Sequence, residues 1–358
     1  MSAYAPVLIM AGGTGGHIFP GLAVAKALRQ RGYPVIWLGS EGGMETRLVP
    51  EQGFPMETLA IQGLRGKGLM HMAAAPWRIA KAVWKAQAII RRHRPGAVVS
   101  FGGYTAGPGG LAAWMLGCPL LVHEQNRAPG LTNRLLAIIA DKVMTGFPNS
   151  FRRVPHITVG NPVRPEISAI APKSLQPERN GEPLKVLVLG GSQGARTINT
   201  VLPKLFMQMP MPLSIRHQCG EKMLEEAKQA YQAAGVSASI EPFITDMAEA
   251  YAWADVVIGR AGALTVSEIC AAGVASLLIP LPTAVDDHQA MNADFLKVHG
   301  AGLWFRQDEQ LASALKQALL AMWEHPEQRL AMAQAARAAA FPDAANDVAD
   351  LIVQEMAA

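Results

Sequence analysis

The sequence shows no paired-cysteine spacing, no secretory-leader pattern, no membrane-spanning run and none of the common nucleotide loops, and each absence narrows what is expected of it. Its 358 residues include only 3 cysteines, Cys118, Cys219 and Cys270. They lie far apart, their number is odd and no CxxC spacing occurs, so free thiols in a reducing compartment are expected. The N-terminus has no basic n-region, and its apolar run, Val7–Ala11, is too short for a signal core. No uninterrupted apolar run reaches the roughly 18 residues that cross a bilayer. The expected place is the cytosol, or a membrane surface reached from it. No GxxxxGK[ST] loop and no clean GxGxxG is present. Aromatic residues are sparse at 6%, so the tryptophans at 77, 84 and 114 stand out.

What is there reads as α/β. The length exceeds one ordinary core, and with half the residues hydrophobic two domains can each bury one. Short apolar strands alternate with glycine loops and helices. Strands are expected at Val7–Ala11, Val35–Leu38, Ala97–Ser100, Leu120–His123 and Lys142–Thr145, then at Leu184–Leu189, Leu213–His217, Asp255–Ile258 and Ala275–Pro280. Continuous apolar runs of this length fit parallel strands covered on both faces. Helices are expected at Ile18–Gln30, Ala106–Met115, Ala195–Leu205 and Thr265–Ala272. This alternation implies doubly wound, Rossmann-like domains.

Residues Asn161–Pro183 carry prolines at 162, 165, 172, 177 and 183, a linker composition. The expected division is 1–163, 164–340 and a terminal helix in 341–358 packing back on the first domain. Each half opens alike: strand one runs into GGTGG (Gly12–Gly16), and the first strand after the linker runs into GGSQG (Gly190–Gly194). Charge divides too. Residues 1–164 hold 18 Lys/Arg and 6 Asp/Glu, a balance of +12, and residues 165–358 hold 14 and 22, a balance of −8. The basic half should face something anionic: a phosphorylated substrate, a membrane or nucleic acid. No nucleic-acid motif accompanies it, which disfavours the last.

Several segments could carry chemistry. Glycines after a strand bring backbone N–H groups close to a ligand, and a following helix offers its positive end to anions. His17, after GGTGG, could take a proton from an incoming hydroxyl; it could equally cap or pack the helix start. Glu41, beyond the second strand, keeps a nicotinamide-dependent dehydrogenase open. Ser192 in the second loop and Arg164 at the end of NPVR could meet a diphosphate, or be a plain turn and a solvated arginine. In RAGALTVSE, Glu268 could accept ribose hydroxyls or complete a capping box with Thr265. Asp246 in FITDM should cap a helix, with nearby backbone free to pair with a base edge. The cluster Asp286–Asn292 lacks a third convincing metal ligand, so hydrogen bonding by Gln289 fits better than a metal site. Glu124, Asn126 and Tyr104 are candidates for acceptor or sugar contacts. In Pro76–Arg94, Trp77 and Trp84 sit among Arg78, Lys81 and Lys85, a mixture suited to an anionic membrane interface. Met70, Met72 and Trp114–Met115 could extend it. The ordinary alternative is a helix with its apolar face on the sheet and its charges in water.

The ordered set GGTGGHIFP, GLRGKG (63–68), GGYTAGPGG, HEQN, GNPVR, GGSQGAR, FITDMAEAYAWADVVI and RAGALTVSE resembles glycosyltransferase family 28, from Val7 to the C-terminal helix. The resemblance implies a peripheral enzyme that moves N-acetylglucosamine from its UDP donor onto undecaprenyl-pyrophosphoryl-N-acetylmuramoyl-pentapeptide. The resemblance implies a GT-B fold, two Rossmann-like domains facing each other across a cleft. It implies that Ile244 meets uracil, Glu268 the ribose, and Arg164, Ser192 and the helix start Ala263, Leu264, Thr265, Val266 and Ser267 the diphosphate. Gln289 and Asn126 would touch the sugar. Thr14, Gly15 and Gly16, counted with the sugar-nucleotide site, would with His17 face the acceptor pyrophosphate and the attacking hydroxyl. His288 departs from the family pattern, so Gln289 is preferred. The implied reaction is inverting attack of the acceptor C4 hydroxyl with His17 as base and no essential metal or other cofactor. Expected partners are UDP-N-acetylglucosamine, the undecaprenyl-linked acceptor, an anionic membrane surface on the cytoplasmic side of the inner membrane, and other cell-wall enzymes. A UDP-sugar 2-epimerase, a lipid A disaccharide synthase and a non-catalytic membrane-docked scaffold are the rival readings.

Overall fold

A computed structural model describes residues 4–61, 75–174, 182–191 and 195–358. They divide into two compact units, Met1–Arg164 with Asp343–Ala358, and Pro165–Pro342. The first unit carries β1 (Val7–Ala11), β2 (Val35–Ser40), β3 (Met56–Leu59), β4 (Ala97–Gly102), β5 (Leu120–Glu124), β6 (Lys142–Thr145) and β7 (Ile157–Thr158). Among the described residues they form one parallel sheet of order β3-β2-β1-β4-β5-β6-β7. Every residue of β1 and β4 is buried, which explains why β1 is wholly apolar and β4 carries one polar residue, Ser100, hydrogen-bonded to Asn133: helices cover both faces, so neither face has a solvent-facing polar alternate.

The helices are α1 (Gly15–Gln30), α2 (Glu45–Glu51), α3 (Ala75–His93), α4 (Ala106–Met115) and α5 (Leu131–Leu136). The last helix of the chain, Ala344–Ala357, returns to this unit. It buries Val348, Ala349 and Ile352 in the core that α1 also enters, and its Asp350 pairs with Arg31 at 2.8 Å. Four acids and no base travel with it (Asp343, Asp347, Asp350, Glu355), so the first unit's balance falls from +12 to +8 and the second's rises from −8 to −4.

The second unit carries β8 (Leu184–Leu189), β9 (Leu213–Gln218), β10 (Ser239–Glu241), β11 (Val256–Gly259), β12 (Ala275–Leu278) and β13 (Leu303–Trp304). Their order, β10-β9-β8-β11-β12-β13, repeats the first unit's order through all six of its strands. In both units the first strand pairs with the second on one side and the fourth on the other. That reversal of direction leaves a crevice beyond the strands' carboxyl ends, the usual place for a ligand in such sheets.

Several boundaries shift by a few residues from the sequence expectation, and two of the shifts matter. α1 begins at Gly15, not Ile18, because the Thr14 carbonyl accepts from His17 N at 3.1 Å and Ile18 N at 3.2 Å. His17 therefore lies inside the first helical turn. The helix after β11, Ala263–Ala272, begins at Ala263 with Gly262 as its N-cap. Thr265 and Glu268 are then both interior, and the capping-box alternative for Glu268 is overturned.

Candidate active site

In the first unit, the switch point between β1 and β4 is built from two glycine loops. Gly13 leaves β1 at φ +86°, and Gly102 and Gly103 end β4 at φ +101° and +98°, left-handed values that a side chain would strain. They are also close. A Cβ on Gly103 would lie 2.6 Å from the Gly12 carbonyl oxygen, and one on Gly102 would lie 3.1 Å from His17 Nε2. Only glycine lets the second loop pass over the first. His17 Nδ1 lies 3.0 Å from the Gly12 carbonyl oxygen. A carbonyl only accepts, so Nδ1 carries the hydrogen, and in the neutral ring Nε2 keeps a lone pair. Thr14 makes no side-chain cap bond, so the first-turn N–H groups of Gly15 and Gly16 lie ahead of the helical ladder, where an anion would meet them. The Arg164 guanidinium lies 5.9 Å from the Phe19 ring centroid, which puts it beside α1. Tyr104 follows the glycine pair and is 54% exposed.

The HEQN segment at the end of β5 is an organised turn. Glu124 is 2% exposed, and its carboxylate accepts from Asn126 N at 2.9 Å, Asn126 Nδ2 at 3.2 Å, Gly130 N at 3.1 Å and Asn133 Nδ2 at 3.0 Å. Glu124 thus shapes the turn that presents Asn126. His123 behind it is fully buried and bonded through Nε2 to the Gly160 carbonyl at 2.9 Å. Burial pushes its pKa down to about 4, so it is a neutral structural imidazole.

In the second unit the crevice lies beyond β8 and β11. Gly190 and Gly191 leave β8, while Ser192 lies outside the described residues. A Cβ on Gly259 would lie 2.7 Å from the Leu189 carbonyl oxygen, so β11 must end in glycine to run close to β8. Arg260 then crosses to the next strand, donating to Ile279 O at 3.0 Å and Gln307 Oε1 at 2.8 Å. At the N-terminus of the Ala263–Ala272 helix, the N–H groups of Ala263, Leu264 and Thr265 precede the ladder. Val266 is core, and its N–H is bonded to the Gly262 carbonyl at 2.9 Å. Ser267 Oγ bonds back to Ala263 O at 3.0 Å.

Glu268, one turn further, is 6% exposed, and its Oε2 accepts from Tyr251 Oη at 3.1 Å. Tyr251 is fully buried on the helix Met247–Trp253. Asp246 caps that helix, accepting from Glu249 N at 2.9 Å, and the side chain of Ile244 just before it is buried. Gln289 opens the helix His288–Val298, and its Oε1 accepts from Leu281 N at 2.9 Å. Asn292 beneath it is buried and donates to the Ala261 carbonyl at 3.2 Å, tying this helix to the turn before Ala263. Asp286 and Asp287 both adopt left-handed backbone, at φ 52° and 51°. Among the described residues no group of three or more His, Cys, Asp and Glu is placed to hold a metal ion.

Helix α3 sorts its mixed sequence by face. Val83, Ala86, Ile89 and Ile90 are buried against the sheet, while Trp77 and Trp84 are 76% and 69% exposed. Trp114 and Met115 of α4 and Leu131, Leu135 and Ile138 in and just after α5 are also exposed. Met70 and Met72 lie outside the described residues, as does GLRGKG. No helix among the described residues is long and apolar enough to cross a membrane. Glu41 is surface-exposed and pairs with Lys85 at 3.4 Å. The residue that sequence reasoning missed is Glu45, fully buried beneath the first glycine loop. Its only signal was the glycine-rich approach of GSEGG at 39–43.

Two parallel-sheet, Rossmann-like domains of one strand order, each with a glycine loop at its switch point, define the GT-B fold. Residues 7–145 match the glycosyltransferase family 28 N-terminal domain, and residues 185–348 the glycosyltransferase family 28 C-terminal domain. The chain belongs to glycosyltransferase family 28. It is 56% identical over 351 residues to the UDP-N-acetylglucosamine–N-acetylmuramyl-(pentapeptide) pyrophosphoryl-undecaprenol N-acetylglucosamine transferase of Xanthomonas campestris pv. campestris (strain 8004), spanning 98% of this chain and 82% of that protein. The protein of the same name from Xylella fastidiosa (strain M12) is 52% identical over 355 residues, with 98% and 96% covered. Among solved structures it is similar to that of Acinetobacter baumannii MurG, 42% identical with a TM-score of 0.83, covering 98% of this chain and 100% of that one.

Proposed function

We propose that this protein transfers N-acetylglucosamine from UDP-N-acetylglucosamine to the muramoyl C4 hydroxyl of a pyrophosphoryl-undecaprenol-linked acceptor. The observation that carries this reading is the likeness to transferases so named, at 56% identity along 98% of the chain. The local chemistry fits it. The acceptor oxygen attacks the anomeric carbon, forming the new C–O bond as the bond to the UDP oxygen breaks on the opposite face. His17 Nε2 takes the hydroxyl proton, since Nδ1 is held by the Gly12 carbonyl. The departing diphosphate gains charge, which Arg164, Ser192 and the N–H groups of Ala263, Leu264 and Thr265 offset; donors of this kind are worth about 3–4 kcal/mol each. Glu268 takes the ribose hydroxyls with Tyr251 fixing one of its oxygens, and the backbone at Ile244 reads the uracil. Gln289 gives its oxygen to Leu281, so a sugar hydroxyl meets its amide N–H. Asn126 touches the sugar from the turn that Glu124 shapes, and Thr14, Gly15, Gly16 and Tyr104 meet the acceptor.

Exposed Trp77 and Trp84 among Arg78, Lys81 and Lys85 support peripheral attachment to an anionic membrane on its cytoplasmic side, each nearby cation adding about 1 kcal/mol. Other cell-wall enzymes as partners belong to the same reading. The test is transfer of labelled N-acetylglucosamine from UDP to a short-chain acceptor analogue. A labelled disaccharide of inverted configuration is expected. UDP release with N-acetylmannosamine and no disaccharide would replace the transferase with an epimerase.

A further inference from the structure

The carboxylate of Glu45 sits under the GGTGG loop with no exposed surface. Three donors converge on it: Gly13 N at 3.2 Å on Oε2, and Ser40 N at 2.9 Å and Ser40 Oγ at 2.5 Å on Oε1. Cβ atoms on Gly12, Gly39 and Gly43 would lie 2.4, 2.6 and 2.4 Å from Glu45 side-chain atoms. Three glycines thus make room for one buried acid, and burying a carboxylate is costly unless donors surround it.

The Gly13 N–H and the Gly12 C=O belong to one peptide plane, and in a trans peptide they point in opposite directions. Glu45 binds the first, and His17 Nδ1 lies 3.0 Å from the second. We infer that Glu45 is a positioning residue for His17, acting through the Gly12–Gly13 peptide: it fixes that plane so that the Gly12 carbonyl holds the imidazole as its Nδ1–H tautomer, with the Nε2 lone pair kept for the acceptor hydroxyl. Hydrogen bonds in such a chain also polarise one another. Gly13, at φ +86°, would otherwise be free to turn the plane over, because glycine alone crosses these conformations at little cost. Glutamine at 45 cannot replace the acid. It has one acceptor oxygen, and its amide N–H would face one of the three donors.

This inference rests on His17 being the base, and the experiment separates the two. Turnover is measured for the parent, Glu45→Gln, His17→Ala and the double variant, together with the imidazole 15N shifts of His17. Glu45→Gln is expected to lower kcat about ten- to a hundredfold, to leave the KM for UDP-N-acetylglucosamine within about twofold, and to shift the His17 nitrogens away from a pure Nδ1–H pattern. In the His17→Ala background it should cost nothing further. Ser40→Ala, which removes one donor and leaves the acid, should show the same pattern more weakly and covers the case in which Glu45→Gln fails to fold. A loss from Glu45→Gln or Ser40→Ala that multiplies in full on top of His17→Ala, or an unchanged His17 tautomer in both, overturns the inference. Full activity in His17→Ala alone overturns the base assignment instead.

Discussion

The two halves share a strand order but hold their candidate chemical groups by different means. In the first, His17 is held by a backbone carbonyl whose peptide is braced from the other side by Glu45. In the second, Glu268 is held by a side chain, the buried Tyr251 hydroxyl. A backbone plane between two partners has little freedom, which suits a group that must be aligned while a bond forms. A carboxylate steadied by a side-chain hydroxyl suits a group that only has to bind. The surfaces differ as well. The first unit exposes Trp77, Trp84, Trp114 and Ile138 on a body of balance +8, while the second has a balance of −4. On the proposed function, the repeated scaffold divides into a half for chemistry at an anionic surface and a half for nucleotide capture.

Substitutions can break this contrast. The largest effect should come from His17→Ala, which is expected to lower kcat about a thousandfold, within the usual range for a lost general base, with the donor KM little changed. A raised donor KM with unchanged kcat would move His17 to the binding side.

Among the described residues each half also buries one histidine as the neutral ring, His123 in the first with its pKa down to about 4 and His217 in the second at about 3. Burial is the leading cause in both. Their ordinary value is about 6.5, so below that pH the unfolded chain takes up protons that the fold refuses. This stability is complete above pH 6.5 and is lost as pH falls towards 4 and 3. By pH 5 each should have given up about 2 kcal/mol. Urea midpoints measured at pH 7 and pH 5 should fall accordingly. Equal midpoints would mean that both rings protonate freely within the fold.

Smaller effects sharpen the surface and binding arms. Trp77→Glu with Trp84→Glu should weaken binding to anionic vesicles about tenfold or more and spare turnover with a soluble acceptor. Unchanged sedimentation would remove the membrane face. Tyr251→Phe should raise the donor KM only severalfold, the scale of one lost hydrogen bond at about 1 kcal/mol. No change would mean that Glu268 needs no partner there.

Much of this was legible in the sequence because buried parallel strands are unbroken apolar runs. β1, β6 and β8 begin and end where composition placed them. β3, β7, β10 and β13 were not legible. They lie towards or at the sheet margins, they are short, and METL or SIE carries no apolar run to read. The glycine loops were legible as turns. The acid that organises the first was not, because Glu45 meets Gly13 across 32 positions of sequence, and the glycines of GSEGG before it mark a turn without showing which acid the turn buries. Glu41, the acid that its place after the second strand does single out, is a surface residue four positions away. The separation of α3 into Val83 and Ile90 inward and Trp77 and Trp84 outward was left open by spacing and is decided by packing.

The division between a half for chemistry and a half for capture is tested most directly by calorimetric titration of UDP into the parent, His17→Ala and Glu268→Ala proteins. The predicted result is an unchanged Kd for His17→Ala and a Kd weaker by about tenfold or more for Glu268→Ala, the scale of a lost hydrogen bond to a charged group. Equal UDP affinity in the parent and Glu268→Ala, or a loss confined to His17→Ala, would contradict it.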